Sequence, residues 1–204
     1  MERRELTALL RENSYPGRGI VLGLSPDGRN AALAYFIMGR SAGSRSRAFV
    51  KNGDDLGIRI LNAQKSADTS LILYTPLRTL PGVTVVTNGD QTDTICDALR
   101  NGRTFEQALE TRRFEPDAPH FTPRVSGMLQ FTDGFSYKLS ILKAGDAEGR
   151  AALRQTFGCE PVRGIGHIIH TYRSDGTVLP SFSGEPVPVS LPDEIDAFAD
   201  GLWN

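Results

Sequence analysis

The sequence predicts an α+β fold of two mainly antiparallel sheets stacked on one another, with helices on the outside. Three observations predict it. Strand-like runs come in pairs joined by short turns, which makes hairpins and therefore antiparallel pairing. Helical patterns cluster in pairs instead of separating one strand from the next. The β-α-β-α rhythm of a parallel sheet is absent.

The elements follow in order. Leu6, Leu9 and Leu10 recur at helical spacing, predicting a short amphipathic helix over 2–12 that Tyr15-Pro16-Gly17 stops. Gly19 to Leu24 reads as a strand. Ser25-Pro26-Asp27-Gly28 is a turn, with proline second and glycine fourth, and Ala31 to Met38 returns as its partner. Arg45–Lys51, Gly57–Leu61 and Ser70–Leu77 are further strand candidates. Val83 to Thr87 is the clearest strand by its β-branched content. After Asn88-Gly89-Asp90 the period changes. Ile95, Ala98 and Leu99 mark a helix capped by Thr92 or Asp93 and stopped by Gly102. Thr104 and Gln107 form a capping-box pair that opens a second helix of about ten residues with Phe105, Ala108 and Leu109 inward. Pro116, Pro119 and Pro123 impose an extended loop. Residues 124–131 and 135–142 make a hairpin around Thr132-Asp133-Gly134. A helix is expected from Ala147 to Phe157, ending at Gly158. Gly164–Tyr172 is a strand, Ser174-Asp175-Gly176 a turn, and Pro192–Trp203 an acidic closing helix.

Composition narrows the function. At 204 residues, with no linker, repeat or low-complexity segment, the chain reads as a single domain, 1–204. Lys+Arg is 23 against Asp+Glu 24, a net charge of −1, which argues against a nucleic-acid-coating protein. No run approaches the roughly 18 apolar residues of a membrane span, and the short Leu6–Leu10 run has the wrong flanks for a signal peptide. Cys96 and Cys159 form no CxxC pair and are expected as reduced thiols of a cytoplasmic protein. No P-loop, G-x-G-x-x-G after a strand, G-x-S-x-G or H-E-x-x-H is present.

Several constellations carry chemistry. Gly39 to Arg47 packs Arg40, Arg45 and Arg47 with three serines and two glycines, the groups that hold a phosphate dianion, although a solvated loop has the same composition. Thr87 to Thr94 joins a buried strand to a helix and is dense in short hydrogen-bonding side chains, Asn88 and Asp93 among them. Arg112 to Arg124 sets Glu115 on a proline-fixed loop, which suits a group that must be positioned before it can move a proton. Tyr74 ends an apolar run. His167 and His170, three apart on a strand, point to opposite faces and share no metal.

These segments in this order resemble the archaeal-type inosine monophosphate (IMP) cyclohydrolases and their bacterial homologues. The strongest match is Val86-Thr87-Asn88-Gly89-Asp90-Gln91-Thr92-Asp93-Thr94-Ile95, similar to that family's V-[ST]-N-G-x-x-T-D-T-I signature. The hairpin 19–35, the arginine loop 40–47, Tyr74 with Arg78, Phe114-Glu115 and Thr122-Pro123-Arg124 follow the same order. The likeness covers residues 18–142, thins from 143 onward, and leaves residues 1–17 as an N-terminal helical addition.

The resemblance implies a four-layer αββα sandwich like that of the N-terminal-nucleophile hydrolases. It also implies closure of 5-formamidoimidazole-4-carboxamide ribotide to IMP with loss of water. Tyr74 and Glu115 would be catalytic. Arg45 would bind substrate, with Arg40, Asn88, Asp93 and Arg124 as further lining residues. The resemblance implies no metal, no organic cofactor and a homo-oligomer. A nucleophile-hydrolase activity itself is disfavoured because residue 2 is Glu2 rather than Cys, Ser or Thr. A purine-ribotide-binding homologue without this catalysis, or with a changed substrate, is the alternative.

Overall fold

The computed structural model describes residues 3–61 and 73–203. In chain order these form α1 (Leu6–Arg11), β1 (Arg18–Leu24), β2 (Ala31–Ile37), α2 (Ala42–Arg45), β3 (Arg47–Asn52), β4 (Asp55–Ile60), β5 (Leu77–Leu80) and β6 (Val83–Thr87). Then follow α3 (Gln91–Arg100), α4 (Phe105–Glu110), β7 (Arg124–Gln130), β8 (Ser136–Ala144), β9 (Ala152–Cys159), β10 (Ile165–His170), β11 (Val187–Ser190) and α5 (Ile195–Trp203). Among the described residues the strands build two sheets, β11-β10-β1-β2 and β3-β4-β5-β6-β7-β8-β9. Each neighbouring pair is antiparallel. The α+β class with two antiparallel sheets is therefore as predicted. No described helix is long and apolar enough to cross a membrane.

Strand alternation explains the stacking. Ile20, Leu22 and Ile169 of the smaller sheet pack against Val86, Val125, Leu129, Leu139 and Ile141 of the larger one. Their sequence neighbours face the other way. Val85, Met128 and Leu142 receive Ile95, Phe105 and Leu109 from α3 and α4. Val21, Ile168 and Val189 receive Leu6 and Phe198 from α1 and α5. Both faces of each sheet's centre are thus buried, which is why β1 reads as an apolar run after Arg18 and β6 as a run of β-branched residues. The sheets approach closely at Gly127, where an added Cβ would lie 2.9 Å from Leu22 and 3.0 Å from Val86.

Local signals held where side-chain chemistry specified them. Gly28 N–H donates to the Ser25 carbonyl across the predicted turn (2.9 Å). Thr104 and Gln107 make the reciprocal capping box, though α4 runs six residues rather than ten. The cap of α3 is Asp90, not Thr92 or Asp93, and its carboxylate makes no capping bond. Part of the Ser70–Leu77 strand candidate lies outside the described residues; within them, pairing starts at Leu77.

One expectation is corrected and one strand is unexpected. Residues 147–157 are not a helix. The Asp146 carboxylate accepts from the backbone N–H of Glu148, Arg150 and Ala151, closing a loop. The chain then pairs with β8 from Ala152 to Cys159. Inward Gln155, Phe157 and Cys159 repeat every second residue, and cross-strand pairing overrides the helix propensity of the alanines. The prolines at 186 and 188 hid β11, an edge strand where proline is tolerated. Its outer edge is covered by Arg4, which donates to the Pro188 carbonyl and accepts from Ser190 N–H.

Candidate active site

The site forms where the start of β1 meets the loop before β7. Gly17 takes a left-handed φ of 75°, and a Cβ there would fall 2.2 Å from Thr171 Oγ1. Only glycine lets the chain turn so tightly into the smaller sheet. The next residue, Arg18, is largely covered, its side chain 13% exposed. Its Nη1 lies 3.0 Å from Glu115 Oε1 and donates to the Asn88 carbonyl at 3.2 Å. Burial opposes the Arg18 cation, but the Glu115 charge acting together with the phenols of Tyr74, Tyr35 and Tyr172 holds the guanidinium well above its usual pKa. Glu115 is 4% exposed. Burial raises its carboxyl pKa, and the opposing pull of Arg18 does not cancel that rise.

Glu115 sits on a stiff loop. Its N–H donates to the Thr122 carbonyl (2.9 Å), and His120 and Phe121 N–H donate to the Asp117 carbonyl. Phe121 holds a φ of 44° and packs edge-on against Phe114. The Ala118–Pro119 bond is cis. The Asp117 carboxylate accepts from Thr122 N–H at 2.7 Å and from the Thr122 hydroxyl, which also meets Tyr172 Oη.

A cavity of about 330 Å³ opens over this pair. From the loop after β2 it is lined by Arg40, Ser41, Ser44 and Arg47; from the other side come Arg18, Glu115, Thr122 and Tyr172. Ser41 and Ser44 cap each other's backbone and wind the loop into α2. Arg47 donates through Nε to the Ser44 carbonyl (2.9 Å). Its Nη1 is buried and finds no hydrogen-bond partner among the described residues. A buried donor of this kind favours an incoming anion. A second cavity, about 260 Å³ beneath α1 and α5, has Glu5 as its single ionisable lining residue, and Glu5 caps α1.

The structure sorts the sequence candidates. Glu115 and Arg40 line the cavity; Arg40 also pairs with Asp175 at 2.9 Å. Tyr74 Oη lies 2.7 Å from Tyr35 Oη, and both phenols are within electrostatic reach of Arg18. Asn88 and Arg124 stand behind the cavity. The Asn88 side chain donates to the Pro123 carbonyl and accepts from Val125 N–H and Gln91. Arg124 donates to Asp90 and Gln91, both at 2.6 Å. Arg45 and Asp93 lie apart. Arg45 donates to the Gly39 carbonyl and lines a neighbouring cavity with Phe49 and Trp203, while Asp93 pairs with Arg78. His167 meets Tyr137 at 2.7 Å and His170 the Tyr172 carbonyl at 2.9 Å, so the two histidines serve different contacts. Sequence reasoning missed Arg18 and Tyr172 and met Thr122 only as part of the Thr122-Pro123-Arg124 segment. Its one available signal was a charge opening an otherwise apolar strand.

Fold and site together define a pocket lined by a buried carboxyl, arginines and serines. The chain belongs to the IMP cyclohydrolase-like protein family, whose model matches residues 15–204. That match includes β9 to β11, where the sequence resemblance had thinned. An IMP cyclohydrolase of Thermococcus kodakarensis is 34% identical over 119 residues, 57% of this chain and 56% of the relative. One of Methanococcus maripaludis is 31% identical over 116 residues, 55% and 56% of the two chains. One of Methanopyrus kandleri is 29% identical over 163 residues, 78% and 75%. The chain thus spans little more than half the length of the first two relatives.

Proposed function

We propose that this chain is an IMP cyclohydrolase, closing 5-formamidoimidazole-4-carboxamide ribotide to IMP. The observation that carries the reading is the buried Arg18–Glu115 pair under a cavity rimmed by arginine and serine. The carboxamide nitrogen attacks the formyl carbon, forming the ring C–N bond. The formyl oxygen leaves as water. Its two protons come from the carboxamide and formamido nitrogens, so the site must move protons between groups a few ångströms apart. Glu115, with its raised pKa, suits a carboxyl that takes a proton from nitrogen and returns it to the departing oxygen. Arg18 keeps it in place. The Tyr74 hydroxyl, 2.7 Å from Tyr35 Oη, is the group proposed to donate to the formyl oxygen as charge develops there. Because the reaction is intramolecular, holding a near-attack conformer supplies much of the rate. No metal or organic cofactor enters the bookkeeping.

In this reading Arg40 and Arg47 hold the 5′-phosphate. Arg45 shapes the loop through Gly39. Asn88 and Arg124 position Arg18 and the loop beside it, and Asp93 anchors α3 to Arg78. The helix–sheet–sheet–helix order supports kinship with the N-terminal-nucleophile hydrolase fold, and a cytoplasmic homo-oligomer is part of the proposal.

The test is a spectrophotometric ring-closure assay with chelator present, on the wild type and Glu115→Gln. Turnover by the wild type, cut at least about 100-fold by the substitution, supports the reading. Folded protein that binds IMP without turnover overturns it in favour of a ligand-binding homologue.

A further inference from the structure

We propose that Tyr172 determines specificity by presenting a hydrogen-bond acceptor to the ligand, so that the site selects a carboxamide over the corresponding carboxylate. The inference rests on the purine-ribotide reading above and deepens it.

The argument is a count of protons. Both oxygens of the Asp117 carboxylate are engaged by Thr122, one by its N–H at 2.7 Å and the other by its hydroxyl. A carboxylate only accepts, and a threonine hydroxyl has one proton. That proton is committed to Asp117. The 2.5 Å contact between Thr122 Oγ1 and Tyr172 Oη therefore has the phenol as donor. Tyr172 has then used its own single proton and offers only lone pairs to the cavity it lines.

The phenol is held in that state. Its ring stacks on Tyr15, with centroids 5.7 Å apart, and its backbone N–H donates to the Pro16 carbonyl at 3.2 Å. Burial pushes its pKa up to about 12, so it stays neutral and the proton stays on the Thr122 side. Glu115, whose Oε1 already faces Arg18, supplies the second acceptor among the cavity's lining groups. A carboxamide NH₂ carries two donors for two acceptors. A carboxylate carries none and meets two sets of lone pairs. Sites that leave such groups unpaired discriminate strongly.

Thr122→Val tests the polarity directly. Without the threonine oxygen the Tyr172 hydroxyl swings toward the cavity and becomes a donor. Isothermal titration would measure 5-aminoimidazole-4-carboxamide ribotide and its 4-carboxylate analogue against the wild type, Thr122→Val, Thr122→Ser and Tyr172→Phe. The wild type is expected to prefer the carboxamide by about 10-fold or more. Thr122→Val should lose that preference, chiefly by tighter carboxylate binding, and Thr122→Ser should keep it. Tyr172→Phe should weaken the carboxamide without tightening the carboxylate, and it decides the matter alone if Thr122→Val does not fold. Folded Thr122→Val, or Tyr172→Phe, with the wild-type preference overturns the proposal while leaving the ribotide reading intact. A wild type that binds neither ribotide overturns both.

Discussion

Replacing Arg18 with methionine removes one partner of a buried ion pair and keeps most of the aliphatic stem. Glu115 is then left 4% exposed with its cation gone, and the Asn88 carbonyl loses a donor at 3.2 Å. Orphaning a buried charge costs about 3–5 kcal/mol. For a chain of this size that lowers Tm by roughly 6–20 °C. The loss must depend on pH. Without Arg18 the Glu115 pKa rises further, because only burial and the nearby Asp117 push on it strongly. A carboxyl whose folded pKa lies above its unfolded value destabilises the fold as pH rises past the unfolded value, fully once pH exceeds the folded value, and the penalty shrinks as pH falls back from the folded value toward the unfolded one. Urea denaturation at pH 8 and pH 5 checks this. The gap between wild type and Arg18→Met should be large at pH 8 and shrink at pH 5, and adding Glu115→Gln should recover most of it at pH 8. An equal loss at both pH values, unrelieved by the second substitution, would refute the view of Arg18 as the partner that keeps Glu115 ionisable.

Three more outcomes follow. His170 is buried with its pKa depressed to about 4, so the unfolded chain takes up the proton first; stability should be full above about pH 6.5 and fall by up to about 3 kcal/mol toward pH 4. His170→Gln should flatten that limb in acid denaturation. Gly127→Ala puts a methyl 2.9 Å from Leu22 between the sheets and should cost about 1–3 kcal/mol by thermal melting. Arg47→Met should raise KM for the ribotide about 10-fold or more with kcat nearly kept, whereas Arg45→Met, outside the cavity, should change KM little; the reverse pattern would move the phosphate to Arg45.

What was legible in the sequence was what local chemistry decides. The Ser25–Gly28 turn and the Thr104/Gln107 capping box are complete within a few residues, and both formed. The 152–159 strand was not legible because the alanines and arginines of residues 147–154 favour a helix until β8 supplies partners. The density of arginine after β2 was visible, but which arginine turns inward was not. That depends on the Ser41–Ser44 caps, which wind Arg45 into the last turn of α2 and leave Arg47 to open β3 over the cavity. The Asn88 run looked like a ligand loop because side chains that satisfy backbone and side chains that await a ligand are the same residue types.

The Asn88 run still serves the site, one step removed. Asn88 closes β6, and its side chain ties that strand's end to Pro123 and Val125 at the start of β7. Its carbonyl takes the guanidinium of Arg18 from the other sheet. Glu115, on the loop leading into β7, completes the pair. The Glu115 carboxyl is thus held from the larger sheet and its cation from the smaller, with one asparagine bonded to both sides of the seam. The distance between Arg18 and Glu115 is set by how closely the sheets pack. That makes the bare glycine at 127, where Leu22 and Val86 meet across the core, a condition for the geometry of the pair as well as for the fold.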